Sequence, residues 1–122
     1  MPTCLIVDDS KTVRKLARKM IEAMGFGIEE AEHGEEALDK CAKALPDFVL
    51  LDWNMPVMDG LEFLKRLRGM AGGDASIIMS ATTENDMAHI ARAMESGANE
   101  YIMKPFDEAI LREKMAYIGL VE

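Results

Sequence analysis

Long hydrophobic runs, clustered positive charge and cysteine are what this 122-residue chain has least of. No apolar stretch approaches the roughly 18 residues a membrane helix needs, which excludes a spanning segment of that kind. The start, Met1-Pro2-Thr3, carries neither the basic nor the apolar part of a signal peptide, so a cytoplasmic location is the expectation. Lysine and arginine number 14 against 22 acids, a formal net charge of −8, and they are dispersed through helix-like segments. Nucleic-acid binding leans on clustered cationic side chains, so a protein partner is favoured over nucleic acid or a membrane. The two cysteines, Cys4 and Cys41, both fall at apolar positions without zinc-type spacing, which predicts reduced core thiols and no disulfide. Neither a Gly-x-x-x-x-Gly-Lys run nor a Gly-x-Gly-x-x-Gly run occurs, which argues against a nucleotide site. No low-complexity stretch or linker divides the chain, and residues 1–122 read as one domain.

What the chain does contain is a regular alternation. Cys4-Leu5-Ile6-Val7 reads as a buried strand. Val13, Leu16, Ala17, Met20, Ile21 and Met24 follow at helical spacing behind Ser10 as N-cap, with Gly25 as the stop. A weaker strand at 28–31 precedes a helix over 35–44 with Ala37, Leu38 and Cys41 inward, ended by Pro46. Phe48 to Asp52 is the third strand, residues 53–60 form a loop, and 61–68 a helix with Leu61, Leu64 and Leu67 inward. Strand four is predicted at 76–80. A helix over 84–96 then places Met87, Ile90, Ala91 and Met94 on one core-facing stripe. Tyr101-Ile102-Met103 is the fifth strand, and Asp107 caps a last helix to about Tyr117. Five short apolar strands alternating with five helices imply an α/β fold whose parallel sheet is covered on both faces.

In such a sheet, ligands sit beyond the carboxyl ends of the strands. Asp8 and Asp9, Asp52, Ser80 and Lys104 each fall at such an end. Carboxylates brought together repel one another and lose hydration, so they need a cation between them, and an all-oxygen set favours Mg²⁺. Carboxylates, Mg²⁺, a lysine and a hydroxyl suit phosphoryl transfer, in which a carboxylate attacks phosphorus to give an acyl phosphate. Asp52, the lone acid closing a central strand, is the candidate nucleophile, with Asp8 and Asp9 holding the metal.

Each residue has an ordinary alternative. Asp8 and Asp9 would suit the positive end of the next helix, Asp52 a turn, Ser80 a cap, and Lys104 a solvated loop. Their meeting at one sheet edge is what favours chemistry. His33 and His89 have no acid or cysteine at ligand spacing and read as surface residues. Most of the eleven methionines, among them Met20, Met24, Met79, Met87, Met94 and Met103, read as core filling, and Trp53 as partly exposed beside the site.

Four stretches carry a family pattern together: Val7-Asp8-Asp9-Ser10, Leu51-Asp52-Trp53-Asn54-Met55-Pro56 with Met58-Asp59-Gly60, Met79-Ser80-Ala81, and Tyr101-Ile102-Met103-Lys104-Pro105-Phe106. On these the chain resembles, over essentially its whole length, a receiver domain of two-component response regulators. The resemblance implies a flavodoxin-like (CheY-like) doubly wound sheet in the order 2-1-3-4-5. It implies that Asp52 accepts a phosphoryl group from a histidine kinase or histidine phosphotransfer protein. Asp9 would bind Mg²⁺ directly, Asp8 largely through water, Asp52 as well, and Asn54 through its backbone carbonyl. Lys104 would pair with the phosphoryl group, and its bond to Pro105 would be cis. Ser80 would move to the phosphoryl oxygen, and Tyr101 would turn inward in response, altering the face of the fourth helix, fifth strand and fifth helix. Ser80 stands where threonine is common and so lacks a methyl group. Thr82 stands where bulkier or acidic residues are frequent, and with Asn54 it flanks the path of attacking water.

The resulting expectation is a stand-alone phosphorylation switch, with no enzymatic activity beyond its own phosphorylation and dephosphorylation. It would act as a monomer or weak dimer on a flagellar motor component or a relay protein. The competing class is a small Mg²⁺-dependent phosphohydrolase with an aspartyl nucleophile. Those enzymes favour Asp-x-Asp after the first strand and need a substrate-covering cap, for which there are no spare residues.

Overall fold

The computed structural model describes residues 1–83 and 87–122. In chain order the elements are β1 (Thr3–Val7), α1 (Lys11–Glu22), β2 (Gly27–Ala31), α2 (Gly34–Lys43), β3 (Phe48–Asp52), α3 (Gly60–Arg68), β4 (Ile77–Thr82), α4 (Met87–Glu95), β5 (Glu100–Met103) and α5 (Glu108–Tyr117). The five strands form one parallel sheet in the order β2-β1-β3-β4-β5, the flavodoxin-like arrangement. Winding reverses between β1 and β3, so the crevice that opens at such a reversal lies between the ends that carry Asp8 and Asp52.

The two faces of the sheet bury separate cores, which is why the central strands are apolar at consecutive positions. Leu5, Val7, Val49, Leu51 and Ile78 pack with Ala37, Phe63, Leu64, Leu67 and Ala93 of α2, α3 and α4. Cys4, Ile6, Phe48, Leu50 and Met79 pack with Ala17, Ile21, Leu111 and Met115 of α1 and α5. β3 is buried at all five positions. Cys4 and Cys41 are free thiols in opposite cores, and burial raises the pKa of both, that of Cys41 to about 11. Among the described residues, no helix is long and apolar enough to cross a membrane.

Several expectations fail in phase. α1 buries Arg14, Ala17 and Ile21, whereas Leu16 is 55% exposed. Its inner stripe is narrower than the apolar pattern and contains an arginine. In α3 the buried set is Phe63, Leu64 and Leu67, with Leu61 only half-buried. β4 begins one residue later than predicted and runs to Thr82, because pairing continues as Asp52↔Ala81 and Thr82↔Met103. Ser80 therefore lies inside the strand. In α4 most of the predicted stripe faces outward: Met87 is 73% and Met94 40% exposed and Ala91 is exposed, while Ile90 is half-buried and the small Ala93 makes the buried contact. Glu84, the predicted start of that helix, lies outside the described residues. Met79 is buried, and Met20, Met24 and Met103 are half-buried. His33, read from sequence as a surface residue, is the N-cap of α2, its ring Nδ1 accepting the Glu36 N–H at 3.2 Å. Trp53 is covered, not partly exposed.

Candidate functional site

Asp8 follows β1 directly. Its N–H continues the parallel pairing by donating to the Ala31 carbonyl at 3.0 Å, which carries the register one residue past the strand. Ser10 then caps α1, its Oγ accepting the Val13 N–H at 3.2 Å, while Asp8 Oδ1 accepts the Ser10 N–H at 2.9 Å. Capping of α1 falls to the serine, Asp8 giving one carboxylate oxygen to the Ser10 N–H. Asp8 is buried and Asp9 is exposed.

Asp52 closes β3, and the following loop turns back over it. Trp53 N–H reaches the Ala81 carbonyl at 3.2 Å, and Gly60 N–H reaches the Trp53 carbonyl at 3.1 Å. Gly60 must be small here: a Cβ would lie 2.7 Å from the Asp52 carbonyl oxygen and 3.0 Å from Trp53 Cα. In the same loop Val57 has φ +67°, a conformation that is sterically costly for a β-branched residue. Asp59 caps α3 by accepting the Glu62 N–H at 2.9 Å.

Oxygens of Asp8, Asp9 and Asp52 lie within 4.8 Å of one another, and among the described residues these are the acids grouped as a metal-ligand set. Roughly 4.2 Å separates opposite ligands of a Mg²⁺ ion with ~2.1 Å bonds. The set therefore suits a hard cation that takes carboxylates directly or through a retained water. Lys104 comes to the same place from the end of β5. Its N–H is tied to the Thr82 carbonyl at 2.8 Å, and its Nζ donates to Asp8 Oδ2 at 2.7 Å and Asp52 Oδ1 at 3.1 Å. The Lys104–Pro105 bond is cis. Val13, Ala81 and Phe106 form apolar walls around Asp8, Asp52 and Lys104.

Electrostatics reflects crowding. Asp52 titrates at about 6 instead of 3.8, raised first by burial, then by the charge of Asp8, with Lys104 opposing and Asp9 adding to the shift. Lys104 loses hydration on burial, but hydrogen bonding to Asp8 and the charges of both acids outweigh this and raise its pKa. One ammonium thus balances three carboxylates only in part, which leaves a net negative pocket suited to a cation.

Of the residues singled out from sequence, Asp8, Asp9, Asp52 and Lys104 meet at this rim. Asn54 is exposed on the loop after β3, Ser80 is buried in β4 opposite Leu51, and Tyr101 is half-buried in β5 opposite Ser80. Sequence reading missed Arg14, whose guanidinium Nη1 donates to the Asp8 carbonyl at 2.7 Å. Its one signal was a charge inside an otherwise apolar helical stripe.

The family model for the response regulator receiver domain matches residues 4–116. The chain belongs to that family. It is a CheY-like receiver of two-component signalling. The chemotaxis protein CheY1 of Helicobacter pylori is 38% identical over 116 residues, covering 93% of this chain and 94% of that protein. A chemotaxis protein CheY homolog of Campylobacter jejuni is 41% identical over 113 residues, covering 91% of this chain and 87% of the relative. Among solved structures, chemotaxis response regulator CheY4 of Vibrio cholerae superposes with a TM-score of 0.91 at 33% identity, covering 97% of this chain and 98% of the other. The receiver's sheet order is the one that the family resemblance implied.

Proposed function

We propose that Asp52 is the phosphoacceptor of this receiver and that its modification switches a protein-binding surface. The observation that carries this reading is Lys104 Nζ bridging Asp8 and Asp52 beside a third carboxylate, Asp9. The phosphodonor is a phosphohistidine on a kinase or phosphotransfer protein. An Asp52 oxygen forms the new P–O bond, the P–N bond breaks, and its electron pair stays on the imidazole nitrogen, which is left neutral or takes a proton from water.

Asp8 and Asp9, with Asp52 and the Asn54 carbonyl, hold Mg²⁺, which when bound supplies charge neutralisation at the phosphoryl oxygens. Lys104 turns from its carboxylate partners toward a phosphoryl oxygen. The walls of Val13, Ala81 and Phe106 limit water around the acyl phosphate, and Thr82 and Asn54 border its approach. Ser80 supplies the hydroxyl that bonds the modified group, and Tyr101 on the adjacent strand passes the change to α4, β5 and α5. Exposed Met87, Met94, Ile110 and Tyr117 give that region the apolar contacts a protein partner needs. The role is signalling in the cytoplasm, of the chemotaxis or phosphorelay type, without turnover of other substrates.

The test is incubation with Mg²⁺ and a small acyl phosphate, followed by intact-mass measurement. A single phosphoryl adduct is expected, persisting for seconds or longer and absent in Asp52→Asn. Rapid multiple turnover of unrelated phosphate esters would instead establish a hydrolase.

A further inference from the structure

We infer that Arg14 is a positioning residue for the metal-binding carboxylates, acting through the main chain of Asp8 to set where Asp9 points. This rests on the reading that Asp8, Asp9 and Asp52 hold the cation. Arg14 occupies the inner stripe of α1, 7% exposed, between helix and sheet. An aliphatic residue there would bury without the cost of dehydrating a charge. The guanidinium is instead spread over two strand ends. Nη1 donates to the Asp8 carbonyl at 2.7 Å, Nε donates to Glu30 Oε1 of β2 at 3.0 Å, and Nη2 stands 3.7 Å from Glu32 Oε1.

Asp8 and Asp9 depend on this contact to different degrees. The Asp8 side chain is held by its own bonds to Ser10 N–H and Lys104 Nζ. Asp9 is exposed, and among the described residues its carboxylate has no hydrogen bond or ion pair. Its position is therefore inherited from the backbone. The Asp8 carbonyl and the Asp9 amide share one rigid peptide plane, so fixing that carbonyl fixes the direction in which the Asp9 Cα departs. The Asp8 N–H is already anchored on Ala31, and Arg14 supplies the second anchor. Glu30 stops the guanidinium from swinging away, and it is itself shared with Arg18, whose Nη1 lies 2.8 Å from Oε2. Arg18 pairs with the same acid, and no bond from it to Asp8 occurs among the described residues, which makes it an internal control.

The experiment compares the unmodified protein with Arg14→Gln, Arg14→Lys and Arg18→Gln, with Arg14→Met in reserve. Mg²⁺ is titrated by calorimetry and by Trp53 fluorescence, and hydrogen exchange of the Ser10 amide is followed in metal-free buffer. Arg14→Gln is expected to weaken Mg²⁺ binding about tenfold, in the range seen when groups that orient metal ligands are removed, and to speed Ser10 exchange. Arg14→Lys keeps one donor for the Asp8 carbonyl and should lose less. Arg18→Gln should stay within about twofold in Mg²⁺ affinity while its melting temperature falls. Parent-like Mg²⁺ affinity in Arg14→Gln, or an equal loss in Arg18→Gln, overturns the assignment. Should Arg14→Gln not fold, Arg14→Met decides, since it buries without a charge and offers the Asp8 carbonyl no donor: parent-like affinity and parent-like Ser10 exchange in that variant also overturn the assignment. If the unmodified protein itself gives no saturable Mg²⁺ signal, the reading of the carboxylates fails and takes this one with it. If it saturates and the Arg14 variants match it, only Arg14 falls.

Discussion

The two rims of the sheet solve the same problem, a long cation drawn into a half-buried setting, in opposite ways. At the amino end of the strands, Arg68 makes five hydrogen bonds: two to the Gly97 carbonyl, one each to the Gly73 and Ser76 carbonyls, and one to Asn99 Oδ1. Ser76 Oγ donates to the Pro46 carbonyl at 2.6 Å, and Asp47 is bonded to the Thr3 N–H at 2.8 Å. Most of these groups are matched to neutral backbone acceptors, and the rim stitches loops together. At the carboxyl end, Lys104 faces two of three gathered carboxylates and leaves negative charge over. One rim is satisfied and structural; the other is held short of balance, and that deficit is what suits it to a cation.

If this contrast is right, stability and chemistry separate by rim. Arg68→Ala removes bonds from a charged donor and strands several carbonyls, so a loss of about 3 kcal/mol in unfolding free energy is expected. Phosphoryl adduct formation at a temperature where the variant is folded should stay within about twofold of the parent, because the change is at the far rim. A large drop in adduct formation would erase the distinction. Lys104→Met should do the converse, cutting the rate of adduct formation by about 100-fold, equivalent to about 2.7 kcal/mol, because a donor aimed at developing phosphoryl charge is lost. Single-turnover kinetics with excess acyl phosphate measures it, and an unchanged rate would remove Lys104 from the chemistry.

The third effect is smaller and depends on pH. Asp52 titrates at about 6 in the fold against 3.8 ordinarily, because burial and Asp8 penalise its anion. Between about pH 4 and 6 the folded state keeps a proton that the unfolded chain has released, so stability falls as pH rises through that window and the penalty is complete above it. Asp52→Asn should therefore gain about 2 kcal/mol in metal-free buffer at about pH 7.5, and the gain should fade toward pH 4. Urea unfolding with a chelator present at both pH values tests the sign; a gain independent of pH would show that charge crowding is not its source.

Much of the architecture was legible because apolar runs such as Cys4 to Val7 and Phe48 to Leu51 are too short for helices and too apolar for surface strands. Asp8, Asp9, Asp52 and Lys104 were legible for the same reason, since each stands where such a run ends. Helix faces were legible only in part: Ala17, Ile21, Ala37, Cys41, Leu64 and Leu67 are buried as their spacing predicts, but other positions are not. Leu16, Met87 and Met94 are apolar yet exposed, while Arg14 is charged yet buried, because hydrophobicity gives a period and not the identity of what lies opposite. Val57 carries no sequence sign of its left-handed backbone, which follows from closing the loop over Asp52.

By itself the sequence determined the alternation of strands and helices and the placing of Asp8, Asp9, Asp52 and Lys104 where strands end, though not that of Ser80, since local apolar patterning marks a run and not how far sheet pairing extends it. Tertiary structure alone decided that oxygens of Asp8, Asp9 and Asp52 lie within 4.8 Å of one another, that Lys104 spans Asp8 and Asp52, and that Arg14 holds the Asp8 carbonyl. Contacts between residues 6 to 96 positions apart depend on sheet order, register and burial, which are properties of the packed chain and not of any segment within it.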